Sequence, residues 1–125
     1  MNGKNVFVDT NILLYLLSGD TSVFELLNGK TLNISVITEF ELLSFHKIKP
    51  EEEKIIKELL NDCNIIGLNP QNKKLTISLR RKYNTKLPDS IILASAHSMN
   101  LPLLTSDKKL EKVKEVDIFI YDDED

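Results

Sequence analysis

One cysteine, two histidines and four glycines among 125 residues exclude several kinds of chemistry at the outset. Cys63 has no partner for an internal disulfide, and with His46 and His97 it makes too sparse a set for a zinc centre. So few glycines leave no glycine-rich loop to cradle a nucleotide phosphate. The longest uninterrupted apolar run, Ile12 to Leu17, is six residues, whereas a membrane-spanning helix needs roughly 20. The opening Met-Asn-Gly-Lys-Asn-Val-Phe-Val-Asp has no apolar stretch ending in small residues, so the expectation is a cytoplasmic protein without a secretory signal or a membrane contact. Acids are also missing where they would be ordinary. Between Asp62 and Asp89 there is none, while Lys73, Lys74, Arg80, Arg81, Lys82 and Lys86 supply six positive charges.

What is present suits one globular domain: 42% hydrophobic and 28% charged residues can bury a core at this length. The formal net charge is −3, but four of the acids are the last four residues, Asp122-Asp123-Glu124-Asp125. Without them fifteen acids face sixteen bases, a net of +1, so the domain proper, taken as 1–121, is not repelled from nucleic acid as a whole. The tail is expected to be disordered.

Short β-favouring runs alternate with helical ones. Val6 to Val8 reads as a strand that stops at Asp9-Thr10-Asn11, and Ile12 to Leu17 as a helix. Ser22 is a candidate cap for a helix through Asn28, ended by Gly29. A strand is expected over 32–35, helices over 35–45 and 51–60, and a strand over 64–68. Asn69-Pro70 opens a helix whose Leu75, Leu79 and Tyr83 recur every four residues as one apolar face. Leu87-Pro88 opens another over 89–99, with Ile91, Ile92, Ser95, Ala96 and Met99 as its stripe. A strand over 103–105, a short helix over 107–114 and a strand over 116–121 complete the pattern. This alternation implies crossover connections, hence a three-layer α/β/α sandwich around a mainly parallel five-stranded sheet.

In such sheets ligands bind beyond the carboxyl ends of the strands. Asp9 and Asp107 follow the first and fourth strands, Glu39 and Glu41 lie in the first turns after the second, and Asp89 opens a helix that packs on the sheet. One acid at a helix start only meets the helix dipole favourably. Several converging at one rim repel one another unless a cation compensates, and all-oxygen ligands select magnesium, manganese or calcium. Phosphodiester hydrolysis is the chemistry this suggests.

Four stretches carry a family resemblance: Val-Phe-Val-Asp-Thr-Asn-Ile-Leu-Leu-Tyr-Leu-Leu at 6–17, Ser-Val-Ile-Thr-Glu-Phe-Glu-Leu-Leu at 35–43, Leu-Pro-Asp-Ser-Ile-Ile-Leu-Ala-Ser-Ala at 87–96 and Leu-Pro-Leu-Leu-Thr-Ser-Asp-Lys-Lys-Leu at 101–110. In this order and over nearly the whole chain they resemble the PIN domain, and within it the VapC-type toxins. The resemblance implies a metal-dependent endoribonuclease with magnesium or manganese at four acids, which match Asp9, Glu41, Asp89 and Asp107 here. The family's Ser-x-x-Thr-x-x-Glu spacing selects Glu41 over Glu39. Asp9, Asp89 and Asp107 are then the expected metal ligands, and Glu41 completes the shell or serves as the base. Thr10, Asn11, Thr105 and Ser106 are expected to support them. Arg80, Arg81 and Lys82, or Lys108 and Lys109, are candidates to hold the RNA backbone, with Lys54 and Lys57 as other placements. The resemblance further implies a small antitoxin in the active-site groove and a homodimer. Two departures stand out: Asn100 replaces a glycine common before Leu-Pro, and the segment 45–49 lacks the glycine many toxin members carry.

Other classes fit less well. A receiver domain needs adjacent acids after its first strand and an aspartate after the central one, where this chain has a lone Asp9 and Asn69. A haloacid-dehalogenase-type phosphatase needs Asp-x-Asp where it has Asp9-Thr10-Asn11. The competing reading within the fold is a non-catalytic PIN-like module that binds RNA or a protein, which four retained acids disfavour.

Overall fold

A computed structural model describes residues 3–122. Five parallel strands, β1 (Asn5–Val8), β2 (Thr31–Ser35), β3 (Cys63–Ile66), β4 (Leu103–Thr105) and β5 (Ile118–Ile120), form one sheet in the order β3-β2-β1-β4-β5. The helices are α1 (Thr10–Leu17), α2 (Thr21–Leu27), α3 (Val36–Leu43), α4 (Pro50–Asn61), α5 (Pro70–Tyr83) and α6 (Leu87–Ser98), with a 3₁₀ turn at Lys108–Lys112.

Alternation along β1 builds the two faces, since successive side chains of a strand point opposite ways. Val6 and Val8 join Ile12, Leu13, Ile34 and Leu104 in one core, under α1 to α4. Phe7 joins Leu79, Ile92, Leu93, Leu103 and Leu110 in the other, under α5, α6 and the 3₁₀ turn. The result is the expected α/β/α sandwich. Leu75, Leu79 and Tyr83 face the second core as the spacing predicts. Helix α6 departs from its expected stripe: Ser90 to Ala96 are all buried and Met99 is exposed, because α6 is enclosed by the sheet, α5 and the 3₁₀ turn.

Several boundaries shift for local reasons. Asp20, not Ser22, caps α2 by accepting the Val23 amide at 3.0 Å. Helix α3 stops at Leu43, and Phe45 to Ile48 instead close a turn through the Ile48 amide and Phe45 carbonyl. Strand β3 ends at Ile66 because the Gly67 carbonyl is taken by the Asn72 side chain, part of the Asn69 capping box that starts α5. Asn100 adopts left-handed backbone, φ 54°, which asparagine tolerates and which explains how it replaces glycine. Residues 123–125 of the acidic tail lie outside the described residues.

The chain winds outward from β1 to β2 and β3, then crosses back to place β4 on the other side of β1. The reversal point lies between β1 and β4, and in sheets of this kind ligands bind beyond the carboxyl ends of the strands at such a point.

Candidate functional site

Asp9 follows β1 at that reversal point and caps α1. It is buried, and both carboxylate oxygens are engaged: Oδ1 accepts the Thr10 amide at 2.7 Å and Oδ2 accepts the Thr105 hydroxyl at 2.6 Å. Thr105 is the last residue of β4, and its Oγ1 also accepts the Asp107 amide at 3.1 Å. One hydroxyl therefore fixes both aspartates relative to the strand pair. Asp107 caps the 3₁₀ turn, accepting the Lys109 amide at 3.0 Å. Ser106, half-buried, sits between them.

On the other side, Thr10 donates from Oγ1 to Glu41 Oε1 at 2.6 Å and lies 2.9 Å from Thr38 Oγ1. A carboxylate only accepts, so the proton order is Thr38 to Thr10 to Glu41. Thr38, fully buried, belongs to this hydrogen-bonded group and is not among the residues that the sequence singles out, although it stands three residues before Glu41 in the motif. Thr10→Val is expected to destabilise the fold by about 1–2 kcal/mol, since it strands the buried Thr38 hydroxyl. Urea denaturation checks it, and an unchanged midpoint would mean that this chain of hydroxyls carries nothing.

Asp89 lies half-buried in the first turn of α6. Burial, then repulsion from Asp9 and Asp107, push its carboxyl up to about 6, with Lys86 opposing the shift. Asp9 is also raised, by burial first, against its hydrogen bonds from Thr105 and Thr10, with Glu41 and Asp107 adding repulsion. The four acids of the motif thus share one electrostatic environment. Glu39, half-buried, does not enter it.

The donor set is all oxygen and over-supplied with negative charge, the character of a site for a hard divalent cation. Asn11 Oδ1, buried one residue beyond Thr10 with no hydrogen-bond donor, adds a further oxygen in want of a partner. Among the described residues no three acid, histidine or cysteine side chains gather closely enough to hold a metal as they stand. The carboxylates are coupled by charge rather than contact, as mutual repulsion requires when nothing neutralises it.

The basic candidates fare unevenly. Arg80 Nε donates to the Thr85 carbonyl at 3.1 Å, Lys82 pairs with Glu115 at 3.1 Å and Lys108 with Asp122 at 3.5 Å. Arg81 and Lys109 are exposed. Lys57 pairs weakly with Glu53 at 3.9 Å, and Lys54 is exposed on the same helix. His97 is exposed, as is His46, and neither belongs to the carboxylate group; Cys63 packs half-buried at the edge of the first core. An apolar groove of about 410 Å³ adjoins Glu41, lined by Leu14, Leu17, Phe45, Ile48 and Ile55. No helix among the described residues is long and apolar enough to cross a membrane.

A family model described as PIN domain matches residues 6–116. Among solved structures, a toxin-antitoxin complex from Klebsiella pneumoniae has a chain 33% identical to this one, with TM-score 0.79 over 89% of this chain and 94% of that one. VapBC2 from Rickettsia felis, bound to a DNA fragment from its promoter, is 21% identical with TM-score 0.84 over 94% and 99%. VapBC-1 from nontypeable Haemophilus influenzae is 24% identical with TM-score 0.74 over 93% and 97%. A comparison with curated proteins gives no match.

Proposed function

The chain belongs to the PIN domain family, and from that premise we propose that it is a metal-dependent endoribonuclease, the toxin of a toxin-antitoxin pair. The observation that carries this reading is the arrangement of acids at the carboxyl edge of the sheet, where Thr105 joins Asp9 to Asp107, Thr10 holds Glu41, and Asp89 in the first turn of α6 is raised by burial and by its acidic neighbours. In it, Asp9, Asp89 and Asp107 hold magnesium or manganese, which when bound supplies an acidified water and neutralises charge at the scissile phosphate.

The chain's own groups do the rest. Thr105 holds Asp9 and Asp107 in fixed relation. Glu41, held by Thr10, is the acceptor for the proton of the water that attacks phosphorus as the bond to the leaving ribose oxygen breaks, and that oxygen takes a proton from solvent to leave as a hydroxyl. Asn11 has an unpartnered amide oxygen with which to accept from a water or a ribose hydroxyl. The apolar groove beside Glu41 suits an apolar segment of an antitoxin, whose seating there would close the site.

The non-catalytic alternative is a module with the same fold that binds RNA or a protein without cutting it. Incubation of purified protein with transfer, ribosomal and single-stranded RNAs in magnesium, in manganese and in chelator separates the two. Cleavage in metal that stops in chelator is expected; intact RNA throughout, from folded protein free of any partner, would leave a binding module.

A further inference from the structure

Lys86 is the N-cap of α6, in extended backbone at the helix entrance, and Asp89 lies three residues on in the first turn. The corner that carries Lys86 is fastened from several directions. Asn84 ends α5 in left-handed backbone, φ 56°. Arg80 Nε donates to the Thr85 carbonyl at 3.1 Å, and the buried Thr85 and Ser90 hydroxyls lie 2.5 Å apart. The Lys86 carbonyl accepts both the Ser90 amide at 2.9 Å and the Ser90 hydroxyl at 2.8 Å. The backbone of this residue is thereby fixed while its side chain stays exposed.

Three of the cations that the sequence offered for RNA are engaged elsewhere, Arg80 with a carbonyl and Lys82 and Lys108 with carboxylates. Lys86 forms no ion pair among the described residues. An RNA strand approaching four carboxylates is repelled, and a rigidly based lysine at the entrance of the helix that carries Asp89 answers that repulsion without neutralising the acids by direct pairing. Resting on the ribonuclease reading of this rim, we propose that Lys86 holds a backbone phosphate of the RNA beside the acidic cluster.

The test uses the full chain with Asp9→Asn, so that RNA is bound but not cut, and a short fluorescein-labelled single-stranded RNA of mixed sequence in magnesium. Anisotropy is followed across a salt series. Lys86→Met is expected to weaken binding about 3- to 10-fold and to reduce the slope of log affinity against log salt by about 0.7, the loss of one single-strand phosphate contact. Lys86→Arg should restore the slope. Lys74→Met, on α5 beside His97 and Ser98 at the far end of α6, should leave it unchanged. An unchanged slope in Lys86→Met, or an equal loss in Lys74→Met, overturns the assignment while the ribonuclease reading stands. A parent that binds no RNA at any salt overturns both.

Discussion

Asp9→Asn is expected to lower RNA cleavage by about 10³-fold, some 4 kcal/mol of transition-state stabilisation, with the fold intact. The amide keeps the shape of the carboxylate, so its oxygen still accepts the Thr10 amide. The Thr105 hydroxyl, which donates to Asp9 Oδ2, has lone pairs enough to accept from the new amide nitrogen and from Asp107 together. Removing a buried charge whose proton affinity is raised by burial offsets the weaker hydrogen bond. On the proposed reading a metal ligand is nevertheless lost. Single-turnover cleavage beside a circular-dichroism melt checks it; retained cleavage would remove Asp9 from the chemistry.

Asp89→Asn should separate stability from activity in opposite directions. Asp89 has an unfolded value near 3.8 and a folded value of about 6, so the folded state binds the extra proton between those limits. Wild-type stability therefore falls as pH rises through that window, and the penalty is complete above it. After discounting for partial exposure, the metal-free variant should be more stable than wild type by about 1–2 kcal/mol at pH 7.5, a melting temperature higher by roughly 3–8 °C. The gap should close below pH 4. Cleavage by the variant should be lost. A variant less stable than wild type at pH 7.5 would show that Asp89 is a structural carboxylate rather than one held under repulsion.

The fold was legible in the sequence because it is encoded locally, whereas the choice of acids rested on their places after strands and on the family motif. The switch from a Val-Phe-Val strand to a helix at Asp9, and the Asn69 cap followed by Pro70, follow from residues within one turn of each other. The fate of the basic residues was not legible. Lys82 meets Glu115 and Lys108 meets Asp122, partners supplied by distant chain or by the opening of the tail, and Arg80 turns to the backbone of its own corner. A run of positive charge reads the same whether it faces solvent, RNA or a carboxylate. The role of Thr38 was hidden for a related reason, since its contact with Thr10 arises only when β1 and β2 lie side by side.

Calorimetric titration of manganese into metal-stripped protein tests most directly whether the coupled acids form a cation site. Saturable binding is predicted at pH 7.5, weakened at least about tenfold at pH 5, where Asp89 must first surrender its proton, and abolished in Asp89→Asn. Absence of binding at pH 7.5, or binding indifferent to Asp89→Asn, would contradict the account.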